Sequence, residues 1–274
     1  MSASSISEAR FNPLPSLRTN ARLIFELTRR DVLGRYQGSA LGLLWSLFNP
    51  LFMLAIYTFA FGTLFKSRWP GMPDSQSHFA IVLFAGLLVF NFFSECLSRA
   101  PTLIIENANY VKKVVFPLEI LPAVTVLSAF FHYLVGLVVW CLAYLLMEGQ
   151  LHATLLLLPF ALLPLIAFTT GNCWFLASLG VYARDVRQVV GVLTSALIFM
   201  APIFYPIQAV PAAFRPFIML NPITHYVEMT RQIMIDGTLP DAGYWLAVNA
   251  ASAVYALLCF AWFQMTRRGF ADVL

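Results

Sequence analysis

Groups able to do chemistry are sparse in this chain, and they gather in a few places. The run Glu106-Asn-Ala-Asn-Tyr-Val-Lys-Lys113 concentrates polar and basic side chains between Pro101 and Pro117. Prolines stop helices, so any helix here is short. Asn107, Asn109, Tyr110, Lys112 and Lys113 are then suited either to the groove of a soluble partner or to an ordinary charged loop. A second cluster is Arg22, Glu26, Arg29 and Arg30. At helical spacing these four share one arc of about 100°. A third is His225, Glu228 and Arg231, which follows the helix-starting pair Asn221-Pro222. Glu95 and His132 lie within apolar runs, where an ionisable group is costly and often functional. Glu95 is expected to snorkel or to pair with Arg99, and His132 to bond a neighbouring helix.

The chemistry that is absent narrows the function. There is no GxxxxGK[ST] phosphate loop, no HExxH, no GxSxG and no carboxylate pair. The chain is therefore not expected to hydrolyse ATP, to bind a metal or to catalyse a reaction. Cys96, Cys141, Cys173 and Cys259 sit in apolar runs without metal-ligand spacing and read as small buried residues.

The elements that carry these groups follow from composition. Of 274 residues, 60% are hydrophobic and 11% charged, with mean hydropathy +0.77. An average soluble domain is ~45–50% apolar and ~25% charged. A soluble enzyme, a nucleic-acid binder and a disordered tail are excluded, which leaves an all-α integral membrane protein. The pattern predicts six transmembrane helices, at about 41–65, 79–97, 120–147, 154–182, 189–207 and 244–265. Residues 1–40 form an N-terminal segment and 41–274 the transmembrane body. With the N-terminus inside, Lys and Arg divide thirteen inside to four outside, so both termini are expected in the cytoplasm. The net charge of +4 is read as topology, with no nucleic-acid partner implied.

Two further segments are expected beside the spans. Residues 20–33 read as an amphipathic helix on the inner leaflet, or as a plain basic flank. Gly34, Gly38 and Gly42 would turn the chain from it into the first span. Residues 208–243, between the fifth and sixth spans, are too apolar for a polar loop and too short in each apolar stretch to cross. They predict a re-entrant helical hairpin with His225, Glu228 and Arg231 near the outer mouth of a passage, or a hairpin resting on the outer leaflet. Trp69, Trp174 and Trp245 stand near span ends as interface anchors. Aromatic rings crowd the first and fifth spans, either as packing or as flat, weakly holding surfaces for sugar rings.

Four blocks in order carry a family resemblance. They are Arg35-Tyr-Gln-Gly-Ser-Ala-Leu-Gly-Leu-Leu-Trp45 with Ser-Leu-Phe-Asn-Pro50, then Glu106–Lys113 running into Val-Val-Phe-Pro-Leu-Glu-Ile-Leu-Pro122. Tyr205-Pro-Ile-Gln-Ala-Val-Pro211 and Leu220-Asn-Pro-Ile-Thr-His-Tyr-Val-Glu228 complete them. Together they resemble the permeases of type-two ABC exporters, above all the O-antigen lipopolysaccharide exporters, with capsule and teichoic-acid exporters as near relatives. The resemblance implies a homodimer in the bacterial inner membrane with two copies of a separate cytoplasmic ATPase beneath. ATP and Mg would be held by that ATPase, none by this chain, and the cargo would be a lipid-linked glycan. Glu106–Lys113 would be the coupling helix, and Arg22, Glu26, Arg29 and Arg30 would belong to a gate helix among membrane lipids. Phe52, Tyr57, Phe199 and Tyr205 would be candidates for contact with sugar.

Overall fold

The computed structural model describes residues 12–64, 69, 76–112 and 116–274. Lys113 lies outside the described residues. The fold is all-helical, with no strand among the described residues. A short helix α1 (Pro13–Thr19) leads into α2 (Ala21–Tyr36). α2 runs through Gly34, and the turn comes later, at Gly38 and Gly42, both with positive φ. Then follow α3 (Trp45–Tyr57), which takes Pro50 within it, and α4 (Gln76–Arg99). Two short pieces come next, α5 (Leu103–Glu106) and α6 (Ala108–Lys112). The long helices α7 (Ile120–Glu148) and α8 (Leu158–Tyr182) precede a shorter one, α9 (Val186–Met200). α10 (Arg215–Leu220), α11 (Pro222–Arg231), α12 (Ala242–Thr266) and α13 (Phe270–Val273) complete the chain.

Five helical stretches among the described residues are long and apolar enough to cross a membrane: Gly42–Phe61, His78–Glu106, Ile120–Glu148, Ala153–Tyr182 and Ala242–Val273. The fifth expected span, 189–207, stops early. α9 ends at Met200, and the chain from Ala201 to Pro206 is not helical. Pro202 and Pro206 account for this, since neither can donate the backbone bond a continuing helix needs.

α4 forms the axis of the bundle. Every position from Phe79 to Phe93 is buried except Asn91. A helix that is apolar all round belongs inside, and α3, α7, α8, α9 and α11 surround this one. α8 and α12 pair along their lengths. Gly180 of α8 lies so close to the turn before α5 that a Cβ there would overlap the Pro101 carbonyl.

Glu119 gathers the termini at one end of the bundle. Its carboxylate, buried with its residue, accepts from Ser16 Oγ of α1 at 2.8 Å and from Arg267, just beyond α12, at 2.7 Å. Trp174 Nε1 donates to the Glu119 carbonyl at 3.0 Å. Trp174 is 2% exposed and meets Phe260 edge-on, so it is a core residue and not the interface anchor its position suggested.

Candidate coupling and transport surfaces

The segment 101–117 lies at the same end as the termini. Its two helical pieces part at Asn107, whose Nδ2 donates back to the Leu103 carbonyl at 2.8 Å. Leu103 and Ile104 are buried in a cluster with Trp174, Phe260 and Phe270. Tyr110 stacks on Phe116 with centroids 4.3 Å apart, and its hydroxyl accepts from Arg30 of α2 at 3.2 Å. Glu106, Asn109 and Lys112 are exposed. Asn109 and Lys112, three apart in α6, share one face, and Glu106 is exposed at the end of the piece before it. The apolar side is thus anchored, and polar side chains are presented outward.

α2 is not a loose surface helix. Ile24 and Leu27 pack on Ile120 and Val124 of α7, while Phe25 and Leu33 stay exposed. Arg22, Glu26, Arg29 and Arg30 are exposed as well. Its last turns are clamped by charge. Asp31 accepts from Arg99 at 2.7 Å and from Ser128 at 2.5 Å. Arg35 pairs with Glu95 at 2.5 Å and reaches His132 at 3.2 Å, and the Tyr36 hydroxyl bonds the other His132 nitrogen at 2.9 Å. Glu95 therefore takes Arg35, and the expected pairing with Arg99 is replaced by Arg99–Asp31. Asp31, Arg35 and Ser128 carry no local signal in the sequence that they meet.

Burial raises the Asp31 carboxyl, but hydrogen bonds from Arg99 and Ser128 and the charges of Arg99 and Arg35 outweigh it, so it lies below its ordinary range. A depressed acid stabilises the fold above its unfolded value and loses that contribution only as pH falls through its folded value. Docking of α2 should therefore be level from about pH 8 to about pH 5. Asp31→Ala should instead loosen α2 at neutral pH, with a loss of roughly 1.5–3 kcal/mol typical of a hydrogen bond to a charged group. Limited proteolysis within residues 21–36 reads both. Equal cleavage of mutant and wild type would remove the clamp.

At the far end, Asn221 caps α11 as expected, its side chain accepting from Ile223 N at 3.1 Å. α10 is exposed, whereas α11 is buried against α4 and α8. His225 bonds the Tyr244 hydroxyl at 2.6 Å and is half-buried, as is Glu228. Arg231 is 5% exposed. It donates to the carbonyls of Ile203 at 2.8 Å, Val82 at 3.3 Å and Pro202, pairs with Glu228 at 3.3 Å, and lies 4.7 Å from the Trp69 ring centre. Asn221 Nδ2 donates to Met200 O at 3.2 Å. The last carbonyls of a helix lack intrahelical partners, so α11 supplies the donors that end α9 and hold the stretch after it. Burial lowers the Arg231 guanidinium to about 10, still charged at neutral pH, and burial raises Glu228 against the pull of Arg231.

The aromatic candidates fall into two groups. Tyr57 leads through Phe61 and Phe204 to Phe199, with successive centroids 6.5, 6.0 and 5.7 Å apart, and Tyr205 donates to the Phe199 carbonyl at 2.8 Å. Phe199 is 68% exposed. This row joins the end of the first span to the end of α9 through Phe61 and Phe204, which periodicity did not single out. Phe52, 70% exposed, stands apart on α3.

A bundle of apolar helices around a largely buried central span, with exposed polar side chains at the end that holds α1 and α13, defines a multi-pass membrane protein. Residues 22–235 match the model of the ABC-2 type transporters, and the chain belongs to that family. It is similar to the O-antigen export system permease protein RfbA of Myxococcus xanthus, 27% identical over 91% of this chain and 94% of that protein. A protein of the same description from Klebsiella pneumoniae is 25% identical over 92% and 95%. The polysialic acid transport protein KpsM of Escherichia coli is 24% identical over 77% and 81%.

Proposed function

We propose that this chain is the channel-forming permease of an ATP-driven exporter that moves a lipid-linked polysaccharide of O-antigen type from the inner to the outer leaflet of the bacterial inner membrane. The observation that carries this is similarity to O-antigen export permeases along nearly the whole of both chains. The permease works as a two-state conduit, and a cytoplasmic ATPase binds ATP and Mg and supplies the energy. The exposed side chains of Glu106, Asn109 and Lys112 support a docking role for 101–117, and the Arg30–Tyr110 bond supports transmission from it to α2.

Six crossings are supported by parity. Glu119 ties segments near both termini to one end, so the number of crossings is even. α9 starts four residues beyond Tyr182, which bonds Thr266 at that end, and its other end meets Arg231 beside Val82 near the start of α4. α9 and the stretch after it thus supply the sixth crossing. The burial of α11 beside an exposed α10 supports a hairpin that re-enters the bundle. The excess of Lys and Arg at the terminal end supports its cytoplasmic placement. Two copies form the conduit, with Phe52, Tyr57, Phe199 and Tyr205 offered to sugar.

Replacing Lys112 and Lys113 together by Glu should abolish export while the protein inserts normally. Glycan at the cell surface and permease in the membrane fraction are the two readouts. Unchanged export in this mutant would remove the coupling assignment. Similarity to KpsM favours capsule-type glycan as the second reading. The chemistry of the glycan that accumulates inside cells lacking this chain separates the two.

A further inference from the structure

A polar cavity of ≈ 400 Å³ opens between the end of α2 and helices α3, α4 and α7. Small-molecule sites commonly fall in the range ~300–1,000 Å³. Its lining is out of keeping with the helices that form it. Asn91 is the one exposed position in the otherwise buried run from Phe79 to Phe93, and it lines this cavity. Asn49, exposed on α3, lines it too. Neither side-chain amide has a hydrogen-bond partner among the described residues. Tyr133, also in the lining, is 3% exposed, and its hydroxyl has no hydrogen-bond partner there. The Tyr133 hydroxyl is a buried polar group, costly in an apolar bundle unless something bonds it, while the two amides stand open to the cavity.

Charge decides what that is. Arg35 and Glu95 face each other at 2.5 Å in the same wall and cancel, and His132 is held by Tyr36 and Arg35. No unneutralised arginine or lysine remains in the lining for a phosphate. What remains free are two amides, the Tyr133 phenol and the Ser94 hydroxyl, each able both to donate and to accept. Sugar hydroxyls have the same double capacity. Phe84, Leu88 and Phe92 supply apolar wall for the C–H face of a ring.

We propose that this cavity is a subsite for one uncharged sugar residue of the exported glycan, bound through Asn49, Asn91 and Tyr133. The proposal rests on the permease reading above. It locates a sugar contact behind the first span, away from the aromatic row of Tyr57 and Phe199.

The test uses the whole chain with its ATPase in cells that make the glycan. A photoactivatable label is attached at Asn91→Cys and, separately, at Phe199→Cys. Glycan-bearing adducts from both positions are expected. Glycan captured at 199 but not at 91, or phospholipid alone at 91, overturns the subsite and leaves the permease reading intact. No glycan at either position, together with normal export after deletion of the chain, overturns the permease reading itself. Asn91→Leu covers the case in which the label disturbs folding. In reconstituted vesicles it should raise the apparent KM for the lipid-linked glycan roughly three- to ten-fold, the loss of one hydrogen bond, with kcat little changed. An unchanged KM overturns the subsite.

Discussion

Replacing Arg231 by Leu should cost the protein most of its net stability. The guanidinium is the shared donor for the carbonyls of Val82, Pro202 and Ile203, and it faces Glu228. Leucine fills part of the volume and leaves all three carbonyls without that donor. Leaving a buried acceptor without its donor costs roughly 1–3 kcal/mol each, or about 3–9 kcal/mol for three. A typical domain has only ~5–15 kcal/mol in hand. The solubilised protein should therefore show a large fall in thermal transition, and its level in the membrane should drop. Glu228→Gln should be much milder, because the Glu228 side chain is 32% exposed and keeps access to solvent. Arg231→Lys should fall between the two, since one ammonium cannot reproduce the planar fork that reaches several carbonyls at once. A wild-type thermal transition in Arg231→Leu would show that α9 and the stretch after it do not depend on α11.

The second large effect is expected from one methyl group at Gly180. The Cβ of an alanine there would overlap the Pro101 carbonyl, a backbone atom that no change of rotamer can move. Close-packed interiors relieve such overlap by shifting a whole element, at about 1–3 kcal/mol or more. The element that must shift is the turn that starts segment 101–117. Gly180→Ala should therefore leave insertion intact and depress glycan exported per ATP hydrolysed by about five- to a hundredfold, since 1.4 kcal/mol is a factor of ten. Gly191→Ala is the control. It sits in α9 with nothing within 4 Å of the added carbon, and alanine favours a helix by ~0.8–1.0 kcal/mol over glycine. If both mutants export alike, the contact of α8 with Pro101 has no part in coupling.

The lengths of the long spans were legible because apolar length is a local property. The expected 120–147 and 154–182 lie within a residue of Ile120–Glu148 and Ala153–Tyr182. Asn221-Pro222 was legible as a helix start for the same reason, since its cap closes within two residues. The fifth span was overextended because hydropathy is blind to backbone donors, and Pro202 and Pro206 read as apolar while they end the helix. The cluster holding Glu106, Asn109 and Lys112 was found, but which of its members stand outward was not, because Tyr110 and Asn107 are turned inward by Phe116 and Leu103.

The sequence by itself determined that the chain is a bundle of apolar helices long enough to cross a membrane. Its blocks from Arg35 to Glu228 also determined the family it resembles. The tertiary structure alone decided which charges meet: Glu95 with Arg35, Asp31 with Arg99, and Arg231 with the carbonyls that follow α9. It also decided that Trp174 is core and that Asn91 opens onto a cavity. Hydrophobic length is written in neighbouring residues, whereas the partner of a buried polar group is fixed by helices far apart in the chain, and a low-dielectric interior makes that choice decisive.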